Sequence, residues 1–121
     1  MGNTAENLAE LHKISREDQD KFAVWSQEKA YKAQQNGILT QEICDIFIPQ
    51  KRKDPILFNQ DEFIRSTTTM ETLAGLKPAF KKDGTVTAGN ASGLNDGAAA
   101  LLIASEQGLK DNNLTPKVRI L

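Results

Sequence analysis

A mixed α/β fold is what this sequence predicts, and three observations carry the prediction. Residues 1–37 place apolar side chains at helical spacing behind capping residues. Glu42–Ile48 alternates with a period of two. Gly97–Ala104 (GAAALLIA) is an almost unbroken apolar run that demands burial whether it forms a strand or a packed helix, and its length does not decide between them.

The helical block opens at Thr4, a residue type that caps, with Ala5, Leu8 and Leu11 behind it. Ser15-Arg16-Glu17-Asp18 is a near capping box, with Asp where Glu or Gln is usual, and it starts a second helix. Phe22, Ala23, Ser26, Ala30 and Ala33 then form its inward face. Early acids and late lysines suit the helix dipole, and Asn36-Gly37 ends the element.

In the middle block Glu42–Ile48 is expected as a strand with Cys44, Ile46 and Ile48 on one face. Pro49–Pro55, with its basic stretch Lys51-Arg52-Lys53, connects it to short edge strands at Ile56–Phe58 and Phe63–Ile64. Thr68-Thr69-Met70-Glu71 reads as a capping box opening a short helix that turns Leu73 and Leu76 inward and stops at Pro78. The last block turns at Asp83-Gly84, extends over Thr85–Thr87 and passes glycines at 89, 93 and 97. Ser105 caps a helix running towards Asp111, and Val118–Leu121 begins a strand.

The 121 residues are 39% hydrophobic and 26% charged, with a mean hydropathy of -0.46. Such a chain lies above the disordered regime and can build one modest core. Fifteen Lys and Arg against sixteen Asp and Glu leave a net charge of -1, which argues against a nucleic-acid partner. One cysteine and one histidine exclude a disulfide framework and a Cys/His zinc site, and no metal ligand set is expected. The polar, acidic start is no signal peptide, and no apolar run approaches the ~20 residues of a membrane span, so a cytoplasmic chain is expected.

Cys44 and His12 are the tempting nucleophile and base. Cys44 nevertheless falls on an apolar strand face and His12 between two helices, so they read as a buried structural thiol and a solvated histidine. Glu6, Glu10, Glu17, Asp18 and Asp20 read as caps and solvated helix faces. Gly89-Asn90-Ala91-Ser92-Gly93-Leu94-Asn95-Asp96-Gly97 is different, because its three glycines let a backbone pass close to something while its side chains hydrogen-bond without charge. It is neither a Walker A loop nor a dinucleotide fingerprint. Spacing alone leaves open whether it packs on a strand or lies along a ligand, with Ser92 as donor.

MGNTAENLAE at 1–10, SREDQDKFAVWSQEKA at 15–30, LKPAFKKDGTVTAGNASGLNDGAAALLIASE at 76–106, and Pro116 with Arg119-Ile120 resemble the thiolase family, bacterial acetyl-CoA acetyltransferases in particular. The resemblance runs through the whole chain in order. It implies a thiolase-like fold in three regions: residues 1–85 as the coenzyme A-binding loop region, 86–116 as the end part of the N-terminal thiolase half, and 117–121 as the start of the C-terminal half. The family joins two acetyl-CoA molecules into acetoacetyl-CoA and coenzyme A, or cleaves a 3-ketoacyl-CoA in reverse, through an acylated cysteine assisted by a histidine and a second cysteine. The motifs that carry those three residues do not occur here. The resemblance therefore implies the middle of a thiolase, inactive by itself, with no catalytic residue of its own.

What it implies instead is a coenzyme A surface. Met1, Leu73, Leu76 and Phe80 match apolar positions along the pantetheine and adenine path. Arg65 matches a basic residue near the nucleotide phosphate, and Thr72 stands beside the adenine. Ala88, Gly89, Ala91 and Ser92 match the wall along the pantetheine. No prosthetic group is implied; coenzyme A and acetyl-CoA enter as substrates. The implied partners are coenzyme A thioesters, the remainder of a thiolase chain and, for the whole enzyme, further copies in a dimer or tetramer. A non-catalytic coenzyme A-binding or interaction fragment is the alternative.

Overall fold

Helix α1 spans Gly2–His12 in the computed structural model of the chain, which describes residues 1–120. Thr4 lies inside its first turn and does not cap it: the Ala5 N–H already donates to the Met1 carbonyl at 3.1 Å, which moves the start back to Met1. His12 is its last residue and not a loop residue. The helix closes at Lys13 (φ 53°), where the left-handed turn lets the Ile14 N–H reach the Ala9 carbonyl at 2.9 Å.

Helix α2 (Arg16–Gln35) starts where its cap predicts. The Asp18 N–H donates to Ser15 Oγ at 3.0 Å, and Ser15 Oγ donates to the Asp18 carboxylate at 2.7 Å. Its inward face meets the apolar stripe in the sequence at Ala23, Ala30 and Ala33, which are half-buried, but not at Phe22 or Ser26, which are exposed. Asp20 is the buried residue, while Phe22, about 200° further round the helix, is exposed. Phe22 meets Trp25 edge-on, with ring centroids 5.6 Å apart, and Lys29 Nζ lies 3.6 Å over the Trp25 ring. After Asn36, Gly37 takes φ 70°, a conformation that suits a residue without Cβ, and a 3-10 turn follows at Leu39–Gln41.

Strands β1 (Ile46–Ile48) and β2 (Ile56–Phe58) form an antiparallel hairpin with Ile46 opposite Phe58, Phe47 opposite Leu57 and Ile48 opposite Ile56. The strand expected from Glu42 is shorter because the ladder ends at the Ile46–Phe58 pair, so Cys44 stands before it and is exposed, not a buried thiol. Phe63–Ile64 is not a strand. The Phe63 N–H donates to the Asp61 side chain at 2.8 Å, a local turn that withdraws it from any ladder.

Helix α3 (Met70–Ala74) does use a capping box, displaced by one residue from the expected frame. The Thr72 N–H donates to Thr69 Oγ1 at 3.2 Å and the Thr69 N–H donates to Thr72 Oγ1 at 2.9 Å, so a threonine fills the place given to Glu71. The helix ends at Gly75, before Pro78, which bridges Thr87 in an antiparallel contact. Helix α4 (Glu106–Asp111) is capped by Ser105 as expected. Gly97–Ala104 is neither strand nor helix, and Leu101, Leu102 and Ile103 are exposed. Val118–Ile120 is likewise irregular, and Leu121, the end of that expected strand, lies outside the described residues.

Polar groups share the interior with apolar ones. Ala9, Leu73 and Val86 are buried, and so are Glu6 (5% exposed), Asp20 (2%) and Thr87 (0%). The Glu6 carboxylate accepts from the Val86 N–H at 2.8 Å, from the Thr85 N–H at 3.0 Å and from the Thr85 hydroxyl at 3.2 Å. Burial pushes the Glu6 carboxyl up, but these donors, together with the positive Lys81, outweigh it and hold the group below the usual carboxylate range. The accessible surface is 10882 Å², against roughly 6,500 Å² for a compact monomer of this mass. Exposed apolar side chains such as Leu94, Leu101 and Val118 contribute to the excess.

Two outcomes follow from this interior. Because the folded state holds Glu6 below its ordinary value of about 4.3, the carboxylate stabilises the fold fully above that pH and loses its contribution as pH falls through the lowered value. Glu6→Gln, which turns an amide towards the Thr85 and Val86 donors, lowers stability by about 1–3 kcal/mol at pH 7, and melting curves show that difference narrowing below about pH 4. Equal melting at pH 7 contradicts the role. Hydrogen exchange separates the two ends of the chain: Val86 and Thr87 amides are protected, while those of Leu101–Ala104 exchange at nearly unfolded rates. Strong protection of Leu101–Ala104 in a demonstrated monomer contradicts the exposed state seen here.

Candidate functional site

Three local elements bear most of the residues singled out from the sequence: helix α3 with its exit, the bend at Ala79–Lys81, and the turn at Thr87–Ser92; Arg65 and Met1 lie outside them. The turn is built by two side chains. Thr87 Oγ1 accepts from the Gly89 N–H at 3.2 Å and the Asn90 N–H at 3.3 Å, while Asn90 Oδ1 accepts from the Thr87 N–H at 2.7 Å. That reciprocal pairing curls the backbone so that Gly89 faces α3. A Cβ on Gly89 meets Leu73 Cδ2 and, at 2.6 Å, Leu76 Cδ1, so glycine is what lets the turn close on the two leucines. Leu73 is buried beneath this seam; Leu76, Ala88 and Ser92 open from it to solvent, and Gly89 and Ala91 are half-buried.

Phe80 and Met1 lie at a separate place. The Phe80 ring rests against the Gly2 backbone, next to the exposed Met1 at the start of α1. Arg65 occupies a third position, before α3. Its N–H donates to Gln27 Oε1 at 2.8 Å, which ties the loop to α2, and its guanidinium lies 5.8 Å from the Phe63 ring centroid. The side chain borders a shallow cleft of about 180 Å³ shared with Gln27, Glu28, Tyr31 and Lys32 from α2, and with Ser66 and Thr68. Thr72 follows one turn on, its hydroxyl accepting from the Thr69 N–H at 2.9 Å and donating to the Thr69 carbonyl at 2.9 Å. Only its remaining acceptor lone pair is free for a ligand.

Leu73, Leu76 and Gly89 are therefore brought into one seam, with Ala88, Ala91 and Ser92 following along the turn, while the Arg65 cleft and the Phe80–Met1 contact involve none of the seam residues. Lys32 and Tyr31 beside Arg65 were not visible as site residues in the sequence. They lie one helical turn after Gln27 and Glu28, but nothing in α2 alone says which loop will cover that face.

A second, broader cleft of about 610 Å³ is bordered by Cys44, Ile46, Phe58 and Phe63, with Glu42, Asp61, Glu62 and Asp96 around it. Its charged groups are carboxylates, so it offers Cys44 no cationic or basic partner of the kind that activates a thiol. Among the described residues no group of three or more His, Cys, Asp or Glu could hold a metal ion, and no helix is long and apolar enough to cross a membrane.

Residues 1–107 match the thiolase N-terminal domain. A probable acetyl-CoA acyltransferase of Staphylococcus aureus (strain COL) is 58% identical over 116 residues, covering 96% of this chain, and one of Staphylococcus epidermidis is 56% identical over the same length. The crystal structure of the Bacillus anthracis acetyl-CoA acetyltransferase superposes with a TM-score of 0.81 at 52% identity, over 96% of this chain and 29% of that one. Human mitochondrial 3-ketoacyl-CoA thiolase in complex with CoA superposes at 0.77 with 50% identity, over 93% of this chain and 27% of that one. The chain spans about 30% of the length of the curated relatives it matches. With its glycine turn, its mixed helix-and-strand fold and a family domain matched over most of its length, the chain belongs to the thiolase family.

Proposed function

We propose that this chain supplies the coenzyme A-holding surface of an acetyl-CoA acyltransferase, an enzyme that joins two acetyl-CoA molecules into acetoacetyl-CoA and coenzyme A or runs the thiolytic reverse. The observation that carries the reading is the seam of Leu73, Leu76 and Gly89; the separate cleft of Arg65 and Lys32, which Glu28 also borders, adds cationic groups in the loop before α3 and on α2. An apolar strip suits the pantetheine arm, and a guanidinium suits a phosphate. The solved relative that carries CoA supports the same ligand class. On this reading Thr72 accepts from the adenine amine, Ser92 donates to a pantetheine amide, and Met1, Phe80, Ala88 and Ala91 make van der Waals contact.

Residues 1–85 form the coenzyme A-binding region, 86–116 the end of the N-terminal half and 117–121 the start of the C-terminal half. The bonds that the Val86 N–H donates to Glu6 and that Asn90 donates to Asp20 join the first two regions. For the whole enzyme the reading is a cytoplasmic homo-oligomer. No prosthetic group takes part. The 121 residues alone hold the thioester without turning it over, since acyl transfer requires an activated nucleophile and Cys44 stands among carboxylates.

Titration of the chain with coenzyme A, followed by chemical-shift perturbation, tests the surface. A dissociation constant of about a millimolar is expected, about -4 kcal/mol. Arg65 is exposed, so Arg65→Ala weakens binding only about two- to fivefold. His12→Ala and Cys44→Ser leave it unchanged. Shifts centred on His12 and Cys44, with Arg65→Ala binding normally, refute the placement. Acetoacetyl-CoA cleavage by the purified chain above a heat-killed control refutes the inactivity.

A further inference from the structure

We propose that Arg16, Asp20 and Asn90 are positioning residues that hold the two strips of the coenzyme A seam in register. The proposal rests on the coenzyme A reading above and adds three residues to it that touch no ligand. Asn90 Nδ2 donates to Asp20 Oδ1 at 2.9 Å and to the Thr85 carbonyl at 3.1 Å, while its Oδ1 accepts from the Thr87 N–H at 2.7 Å. Asp20, 2% exposed, takes the Arg16 Nε on its other oxygen at 2.8 Å. The far arm of the same guanidinium donates to the Leu73 carbonyl at 2.6 Å and to the Leu76 carbonyl at 3.1 Å.

One continuous run of hydrogen bonds thus starts in the turn that carries Gly89 and Ser92 and ends on the backbone of Leu73 and Leu76. Both ends are strips of the seam, and the run between them passes through one face of α2. Every hydrogen-bonding atom of the Asn90 side chain is used, and buried side-chain polar atoms without a partner are absent among the described residues. The register of the two strips is therefore fixed by polar geometry and not by the thin apolar core. A lysine at 16 can pair with Asp20 but cannot also reach two carbonyls.

Two probes bound by the 121-residue chain test the inference: coenzyme A, whose pantetheine arm lies along the seam, and adenosine 3′,5′-bisphosphate, which has no pantetheine arm and engages Arg65 and Thr72. Asn90→Ala and Asp20→Asn are expected to weaken coenzyme A about fivefold, and Arg16→Lys about threefold, with the bisphosphate changing less than twofold. Melting curves identify any variant that fails to fold, and Arg16→Lys, which keeps the pair with Asp20, then carries the test. Parallel loss of both probes, or unchanged coenzyme A binding in all folded variants, overturns the positioning role while the coenzyme A reading stands. An original chain that binds neither probe overturns both.

Discussion

An ionised carboxylate taken out of water must have its lone pairs met by donors, and this chain meets that constraint at Asp20 and Glu6. Asp20 collects Arg16 and Asn90, and Glu6 collects the Thr85 and Val86 backbone with the Thr85 hydroxyl. Each carboxylate sits on a helix and each set of donors includes residues from 85–90, so α1 and α2 are attached to the same turn from two sides. The apolar residues buried alongside, Ala9, Leu73 and Val86, are too few to fix that arrangement unaided. Hydrogen bonds to charged groups each contribute about 1.5–3 kcal/mol when formed and leave a larger penalty when one partner is removed. The turn at Thr87–Ser92 therefore has a defined shape although most of its side chains are small.

The same constraint explains why glycine stands at 89. With Asn90 anchored to Asp20 and Thr85, the backbone one residue earlier is driven onto the Leu73 and Leu76 side chains. Glycine, read from the sequence as a means of close approach, approaches these leucines. The leucines have two roles, with Leu73 buried under the turn and Leu76 open to solvent.

Local chemistry was legible in the sequence, and non-local pairing was not. Ser15 and Ser105 cap the helices they were read to cap, since a hydroxyl and the backbone three residues on decide that between themselves. Ile46–Ile48 and Ile56–Phe58 pair as alternation and the intervening prolines suggest. Thr69 replaced Thr68 as cap because the competing residue was another threonine, and the winner depends on the Thr72 hydroxyl. Asp20 looked like one more solvated helix acid. Its role depends on Asn90, seventy residues away, and no periodicity connects the two. The thiolase resemblance named Arg65 but not Lys32 or Tyr31, whose proximity comes from the Arg65 loop folding back on α2.

The apolar run at Gly97–Ala104 shows the limit from the other side. Its composition predicts burial, yet Leu101, Leu102 and Ile103 face solvent, because burial is a property of two surfaces and a sequence describes only one of them. The described residues contain no strand beside this run, and its backbone groups are left to water. The surface beyond that of a compact monomer, roughly 4,000 Å², exceeds what a standard protein–protein interface removes from both partners together. Polar contacts that close within 1–93 define the seam and its turn, whereas the apolar run depends on groups outside that set. The shape of the turn and the formation of the core are thus separable here: the first is fixed by hydrogen bonds local to the turn and two helices, and the second requires a further apolar surface to complete it.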